Sequence, residues 1–351
     1  MPLFGPPNVD KLEERRDLGG LIKALAHQDT PTRMRAAESL GRLGDARAVA
    51  PLVAALRDPN EHVQKDASRA LTRIGEPTVG ALLEVVTGDL GSMEYGRKLT
   101  VRSLAAEALA AVASPVAVDG LIAAFSSADH TVRWYAAAAL SGSRDGRVAD
   151  ALIGLLSDKV SYVCAAAARS LGKIGDRRAV GPLIEVLQSG IGAKEAAESL
   201  GQIGDPGAVQ PLIDALGALA GNDHRWELPC AIINALSKLG DTRATEPLAA
   251  FLSHHSSYQE GSELTRLHLT SALGRIGDST VAAVLERTLT TDPKEIVRRG
   301  AAEALGRLAE HGQLGPLTEI ARTALTVASE TDTPDVRKDA LEALSKFPEA
   351  C

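Results

Sequence analysis

One short phrase recurs along this chain at intervals of about thirty residues. It reads ESLGRLGD at 38–45, RSLGKIGD at 169–176 and ESLGQIGD at 198–205, and related versions end at Asp241 and Asp278. A unit of this length written many times is typical of a solenoid, in which each copy buries its apolar face against its neighbours. The repeat therefore constrains the architecture of nearly all 351 residues.

Each copy can be aligned on the Leu of its ALG-like signature, which predicts about ten units. A unit is expected to hold two helices joined by a turn, as at 32–43 for a second helix and 48–56 for the first helix of the next unit. Small residues flank the aligned Leu in every copy, which lets neighbouring helices approach to the short end of the usual 8–10 Å spacing. The predicted fold is all-α, a right-handed α-solenoid of about ten helical hairpins. The aligned residues are Leu40, Leu71, Leu109, Leu140, Leu171, Leu200, Leu236, Leu273, Leu305 and Leu344.

The second helices end in regularly spaced terminating and capping residues. Gly-Asp pairs such as Gly44-Asp45 are expected to end the helix, with Gly in a left-handed conformation and Asp capping the segment after it. A polar segment at 8–16 precedes the first full repeat and is predicted to form a short helix. We therefore predict an N-terminal cap at 1–16 and a repeat solenoid at 17–351, since terminal repeats need a polar outer face.

Both helices of the unit carry recurring motifs. The first helix carries Pro-Leu-Ile, and the second carries Val-Arg, Ala-Ala, Ala-Leu-Gly and Ile-Gly-Asp. In these motifs, residues 17–347 resemble HEAT-type repeats. The resemblance is to the short bacterial kind found in phycobilisome lyase subunits. That family includes scaffolds, bilin lyases and metal hydroxylases, so the resemblance implies the fold and leaves the function open.

Charge and composition disfavour several classes of protein. The net charge is -7 and no run of five like charges occurs, which argues against nucleic acid as a partner. No apolar run reaches the eighteen or so residues that a membrane helix needs, and the first residues do not read as a secretory signal. Three cysteines without CxxC spacing suit a reducing compartment, so a cytoplasmic location is expected.

An Arg stands seven positions before the aligned Leu in six copies. Such a row could bind an extended acidic partner, because each guanidinium presents a rigid fork of N–H donors to a carboxylate. Alternatively, each Arg pairs with a Gly-Asp carboxylate of an adjacent repeat and forms a ladder that holds the stack, which is the interpretation we favour. The column consists of Arg33, Arg102, Arg133, Arg266, Arg298 and Arg337.

The Trp and Tyr residues all fall in the turn between paired helices or early in the second helix, and none lies in a first helix. Three of them lie in enlarged turns at 87–98, 217–227 and 253–264, and insertions in solenoids map to one edge. Large amphipathic rings dominate recognition sites. We predict a partner-binding site at the helix-turn edge or the concave face of the central repeats; alternatively, the rings pack the loops and fill a gap between copies. The predicted site residues are Arg133, Trp134, Tyr135, Tyr162, His224, Trp226 and Tyr258.

Two classes of enzyme known on similar repeats need residues that this sequence lacks. Deoxyhypusine hydroxylase holds two irons with His-Glu pairs, and this sequence contains no His-Glu pair. A basic stripe for a DNA glycosylase is absent as well. No catalytic residue, metal or cofactor is predicted, and the expected function is a non-catalytic scaffold for a protein or peptide. The alternative is a bilin lyase-like or other subunit that binds a small ligand, although no lyase-specific motif is present.

Overall fold

The protein is all-α in a computed structural model that describes residues 7–91, 93–219, 226–254 and 262–347. These residues form twenty-one α-helices and no strand, which confirms the predicted all-α solenoid. In chain order, α1 to α21 are Val9–Glu14, Leu18–Ala24, Thr30–Leu43, Val49–Ala55, Glu61–Ile74, Val79–Thr87, Tyr95–Val112, Pro115–Ala123, His130–Ala139, Gly146–Leu155, Ser161–Ile174, Val180–Ser189, Ala193–Ile203, Val209–Ala218, Glu227–Leu239, Thr245–His254, Ser262–Ile276, Ala282–Thr291, Glu295–Glu310, Thr318–Thr331 and Pro334–Leu344.

The helices after α1 pair into hairpins, from α2 with α3 to α20 with α21. The described residues thus contain ten hairpins, the number that the aligned Leu residues predicted. Those leucines are buried in nine of the hairpins, whereas Leu344 in the last described hairpin is half-buried. The chain divides into two compact units, Met1–Ser170 and Leu171–Cys351. Each unit is a stack in which second helices pack on second helices, as α3 does on α5 and α17 does on α19.

The predicted terminating Gly and capping Asp are present at the ends of the second helices. Gly44 closes α3 with a φ of 68°, a left-handed conformation that costs glycine little. Asp45 then accepts a hydrogen bond from the Arg47 backbone N–H at 2.9 Å and pairs with the Arg47 guanidinium. A short 3₁₀ turn, Ala46–Ala48, leads into α4.

The small residues beside the aligned Leu are a packing device. In the second unit, a Cβ placed on Gly201 would lie 2.6 Å from the Cα of Ala235. The same holds at Gly274, where a Cβ would lie 2.7 Å from the Cα of Ala304. The residue after the Leu of one repeat therefore touches the residue before the Leu of the next, which confirms the predicted role of this column.

The Arg column forms a ladder between repeats, but its partner differs from the predicted one. Arg33 Nε and Nη2 donate to the two carboxylate oxygens of Asp58 at 2.8 and 2.9 Å, and Asp58 lies in the hairpin turn of the next repeat. The prediction of a Gly-Asp carboxylate is wrong because Asp45 follows the far end of α3, about 18 Å from Arg33 along the helix. The further rungs are Arg102–Asp129, Arg133–Asp158, Arg266–Asp292 and Arg298–Asp332.

The last Arg of the column, Arg337, bonds within its own hairpin. Its Nε donates to the backbone oxygen of Ser329 at 3.1 Å. The ladder thus depends on a neighbouring hairpin turn that supplies an Asp.

The polar helix predicted before the first repeat is α1, which Asn8 caps at its N-terminus. Glu13 accepts hydrogen bonds from the Arg42 guanidinium and from the Ser39 hydroxyl, the latter at 2.6 Å. These two hydrogen bonds lower the pKa of Glu13 to about 2. The contact joins α1 to α3; its function as a solubilising cap stays a prediction.

Candidate functional site

The Trp and Tyr residues of the described chain lie at two levels of the second helices. Tyr95 is the first residue of α7, Tyr162 is the second residue of α11, and Trp226 directly precedes α15 in the second unit. Trp134 and Tyr135, by contrast, lie in the middle of α9. Of the remaining predicted site residues, His224 and Tyr258 lie outside the described residues.

The three consecutive site residues 133, 134 and 135 serve three different purposes. Successive residues of an α-helix point about 100° apart, so the three side chains do not all face the same surface. Arg133 Nε and Nη2 donate to Asp158, and its Nη1 donates to the backbone oxygens of Ser127 and Ala128. The hydrogen bonds from Arg133 lower the pKa of Asp158. The donors of Arg133 are therefore used within the ladder.

Tyr135 is directed into the protein. Its side chain is buried, and its hydroxyl donates to the backbone oxygen of Leu99 on α7 at 2.7 Å. Burial raises the pKa of Tyr135 to about 12. The ring of Trp134 meets that of Tyr135 edge to face, with centroids 4.5 Å apart, and is half-buried. Trp134 is thus held in position by a ring that is itself fixed by a hydrogen bond.

Tyr162 belongs to the hairpin-turn edge of the first unit. Its hydroxyl makes a hydrogen bond with Nδ1 of His130, and the two rings lie edge to face at 5.4 Å. His130 is the first residue of α9, so this pair ties the start of α9 to the start of α11. Tyr162 remains 41% exposed.

A groove of about 790 Å³ lies between α7 and α9, and Trp134 forms part of its wall. Ala106 and Ala110 line it on the α7 side, and Ala138 lines it on the α9 side. Small side chains on both helices leave a space that the indole only partly fills. Its apolar lining continues to Pro115, Val118 and Leu121.

Two exposed groups of opposite charge border the groove. Glu107 on α7 accepts a hydrogen bond from the Ser103 hydroxyl at 2.9 Å. Arg144 lies in the connection after α9 and makes no ion pair with any residue in the described parts of the chain. Asp145 also lines the groove, but it caps α10 and pairs with Arg147. The groove is therefore an apolar surface with one acidic and one basic group, Glu107 and Arg144, that form no ion pair within the described residues.

The groove exists because α9 ends early. In most repeats the fourth residue after the aligned Leu is a Gly that closes the helix, as Gly44 and Gly175 do with positive φ. In this repeat that residue is Arg144, and α9 stops at Ala139 before a 3₁₀ turn over Leu140–Gly142. The neighbouring α7 runs on to Val112, so its last turns face an irregular connection.

A second hollow of about 550 Å³ adjoins the groove. It lies between α5 and α7, and it shares Ser103, Glu107 and Tyr135 with the groove. Lys65 and Arg69 of α5 line its far side. Together the two hollows follow the second helices of three successive repeats.

The predicted single cluster of rings is therefore distributed over separate features. In the first unit Trp134 and Tyr135 form the groove wall, Tyr162 lies at the turn edge and Arg133 belongs to the ladder. In the second unit Trp226 is 42% exposed. Sequence reasoning missed Ser103, Glu107 and Arg144, although the replacement of the usual Gly by Arg144 was visible in the repeat alignment.

The described residues offer neither a metal site nor a membrane-spanning helix. No group of three or more His, Cys, Asp or Glu side chains in them could hold a metal ion. Within the same residues, every helix is too short or too polar to cross a membrane.

Comparisons with known proteins reveal repeats along most of the chain. The sequence matches the family of HEAT repeats at residues 18–89, 118–192, 161–218, 190–260 and 256–345. No curated protein sequence matches the chain.

Several solved structures are similar. Importin beta shares 16% identity and a TM-score of 0.67, over 97% of this chain and 56% of that one. A chain of the Kap95:Nup1 complex shares 15% identity and a TM-score of 0.66, over 97% of this chain and 52% of that one. The complex of CpcE and CpcF of phycocyanin lyase from Nostoc sp. PCC7120 shares 22% identity, over 66% of this chain and 94% of that one, with a TM-score of 0.40. This chain thus spans about half the length of the importin-type chains, and the likeness to them is one of fold.

Proposed function

Because the chain belongs to the HEAT-repeat family, we propose that it is a non-catalytic scaffold that binds a protein or peptide partner in the groove between α7 and α9. The observation that carries the proposal is the half-buried indole of Trp134, held beside a largely apolar hollow by its contact with Tyr135. Rigid aromatic rings in partly filled hollows are where partner side chains gain most binding energy.

The chemistry of the lining supports binding and not catalysis. Its carboxylates are Glu107, which accepts from Ser103, and Asp145, which is paired with Arg147. The lining contains no His, Cys or Lys that could act as a nucleophile or a general base. The groove can offer a partner apolar contact, one anionic group and one cationic group.

The two adjoining hollows favour a peptide over a compact ligand. They share three residues and extend over α5, α7 and α9, so a chain several residues long could place one side chain in each. Lys65 and Arg69 at one end and Glu107 between the hollows would fix its direction. Kap95, which has a similar fold, forms a complex with Nup1, and the fold is therefore compatible with protein binding.

A small apolar ligand is the second candidate. The groove of about 790 Å³ has the size of many small-molecule sites, which run from about 300 to 1,000 Å³. Such a ligand would use the first hollow alone and would be indifferent to changes at Lys65 and Arg69.

Selection from a random twelve-residue peptide library displayed on phage tests the proposal. We expect the wild-type protein to enrich peptides that no longer bind when Ala138→Trp fills the groove. Ala138 is exposed on α9, so the substitution should leave the fold intact, and Ala50→Trp on exposed Ala50 of α4 is the matched control. Trp134→Ala should also abolish binding, with helical content checked by circular dichroism.

The results separate the candidates. Peptides that also weaken after Lys65→Ala and Arg69→Ala together support the extended site. Failure to enrich any peptide, or peptides that bind the Ala138→Trp variant as well as the wild type, would overturn the proposal.

A further inference from the structure

The helix α20 of the second unit presents an apolar stripe that nothing in the described chain covers. Ile320 and Val327 are 50% and 49% exposed, and they lie seven residues apart on the same face. Among the helices described, α20 is the one that carries two exposed large apolar side chains. A pair at this spacing covers two helical turns, about 10 Å along the axis.

The stripe forms one wall of a hollow of about 390 Å³ between α18 and α20. Ala324 lies at its base, and Thr290 and Thr323 lie beside it. The threonine hydroxyls donate to backbone oxygens of their own helices, at 2.8 Å from Thr323 to Glu319 and at 3.1 Å from Thr290 to Glu286. Their hydrogen-bonding capacity is thus used internally, and the hollow offers a surface that is more apolar than its composition indicates.

The charged groups on this hollow are both acidic. Glu286 and Glu319 line it, and no Lys, Arg or His does. Glu319 is 81% exposed, and its nearest cation is Arg322 Nε at 3.8 Å. Glu286 forms no ion pair with any residue of the described ranges. The hollow therefore carries negative charge that a basic partner would neutralise.

We propose that the hollow between α18 and α20 docks a short amphipathic helix with Lys or Arg on either side of its apolar stripe. A helix with large apolar residues at positions i, i+4 and i+7 would pack along the stripe of α20 as a third helix. Its cations would reach Glu286 and Glu319. A second copy of this chain is a poorer occupant, because self-association through this face brings two acidic hollows together.

Fluorescence anisotropy with designed peptides tests the assignment. The probe is a labelled helix of about eighteen residues with Leu at i, i+4 and i+7 and Lys flanking them, and its control has Glu in place of each Lys. We expect the Lys peptide to bind at least tenfold more tightly than the Glu peptide. Higher salt should weaken its binding, since Glu319 is exposed to solvent and Glu286 is only half-buried.

Protein variants locate the site and exclude the other occupants. Ile320→Ser with Val327→Ser should abolish binding, and Val116→Ser on exposed Val116 of α8 should not. Glu286→Gln with Glu319→Gln should reduce the preference for the Lys peptide to less than threefold. Equal binding of the Glu peptide, unchanged binding after the double Ser substitution, or a dimer in light scattering that the double Ser substitution dissociates would each overturn the proposal. The result of these binding tests does not depend on whether the groove between α7 and α9 binds a partner.

Discussion

Gly41 lies so close to Ala70 that a Cβ at position 41 would stand 2.7 Å from the Ala70 Cα. Gly41 follows the aligned Leu40, and Ala70 precedes the aligned Leu71, so the contact joins α3 to α5 at the same level in both repeats. The neighbouring atom belongs to backbone, so no side-chain rotation can relieve it. The two helices would have to separate.

The substitution Gly41→Ala should therefore lower the free energy of unfolding by about 1–3 kcal/mol. The loss is expected although Ala is the better helix former. The matched control is Gly80→Ala in α6, where a Cβ meets nothing within 4 Å and the residue is exposed. The control should leave stability unchanged or raise it by up to about 1 kcal/mol. Equal responses in urea denaturation of the two variants would contradict this account of the column.

This column could be predicted because it recurs at fixed distance from a residue that is easy to align. Ten aligned leucines predicted ten hairpins, and the small residues around them predicted close helix packing. A periodic pattern reports what every repeat requires. It reports nothing about contacts whose spacing varies between repeats.

The partners of the Arg column could not be predicted from the repeat pattern. The five Arg–Asp rungs span 25, 27, 25, 26 and 34 residues in chain order, because the segments between the Arg and the Asp differ in length. The longest span contains α20, a first helix of 14 residues, whereas the first span contains α4, which has 7 residues. The Gly-Asp pairs, with their constant spacing, were the more visible acids and were the wrong partners. Likewise, Arg133, Trp134 and Tyr135 were adjacent in the sequence, but the helix directs them to the ladder, the groove and the core.

A missing rung can be restored at Gln64, which occupies the ladder position in the second repeat. Its Nε2 donates to the Asp58 backbone oxygen six residues earlier, as Arg33 donates to that of His27. Asp89 lies 25 residues after Gln64, as Asp58 lies 25 residues after Arg33. The Asp89 carboxylate accepts a hydrogen bond from the Gly91 N–H at 2.9 Å, as that of Asp58 does from the Asn60 N–H. We expect Gln64→Arg to raise the free energy of unfolding by about 0.2–1 kcal/mol, the range for exposed pairs.

The control for this prediction is the double variant Gln64→Arg with Asp89→Asn. It should lose the gain, since the guanidinium would have no carboxylate to meet. Thermal unfolding at low and high salt would measure both variants. A gain that survives the second substitution would show that the introduced guanidinium stabilises the protein by another route.

Ala113 ends α7 with a φ of 50°, at the position where most repeats carry a Gly. This left-handed conformation costs a residue with a Cβ roughly 1–2 kcal/mol of conformational free energy. Ala113→Gly should therefore stabilise the first unit by about 1 kcal/mol, whereas Ala110→Gly, inside the same helix, should destabilise it by about 1 kcal/mol. Denaturant unfolding of the two variants would measure the opposite signs. Destabilisation by both would mean that α7 does not end as described.

The hydroxyl of Tyr135 links the groove wall to α7 through the Leu99 backbone oxygen at 2.7 Å. Tyr135→Phe keeps the ring and removes the hydrogen bond, so the free energy of unfolding at neutral pH should fall by about 0.5–1.5 kcal/mol. Tyr95→Phe is the matched control, because Tyr95 is 64% exposed and removal of its hydroxyl should change little.

The same variant has a distinct signature in alkali. Burial raises the pKa of Tyr135 from the ordinary 10 to about 12 in the folded protein. Between these values the unfolded chain releases the proton and the folded protein retains it, so the stability of the wild type falls as the pH rises. The Phe variant has no such proton, so the stability advantage of the wild type should shrink above pH 10 and reverse by pH 12, where its loss of about 2 kcal/mol exceeds the contribution of the hydrogen bond. Urea titrations across this range would measure it, and a constant difference would show that Tyr135 ionises as readily in the folded protein as in the unfolded chain.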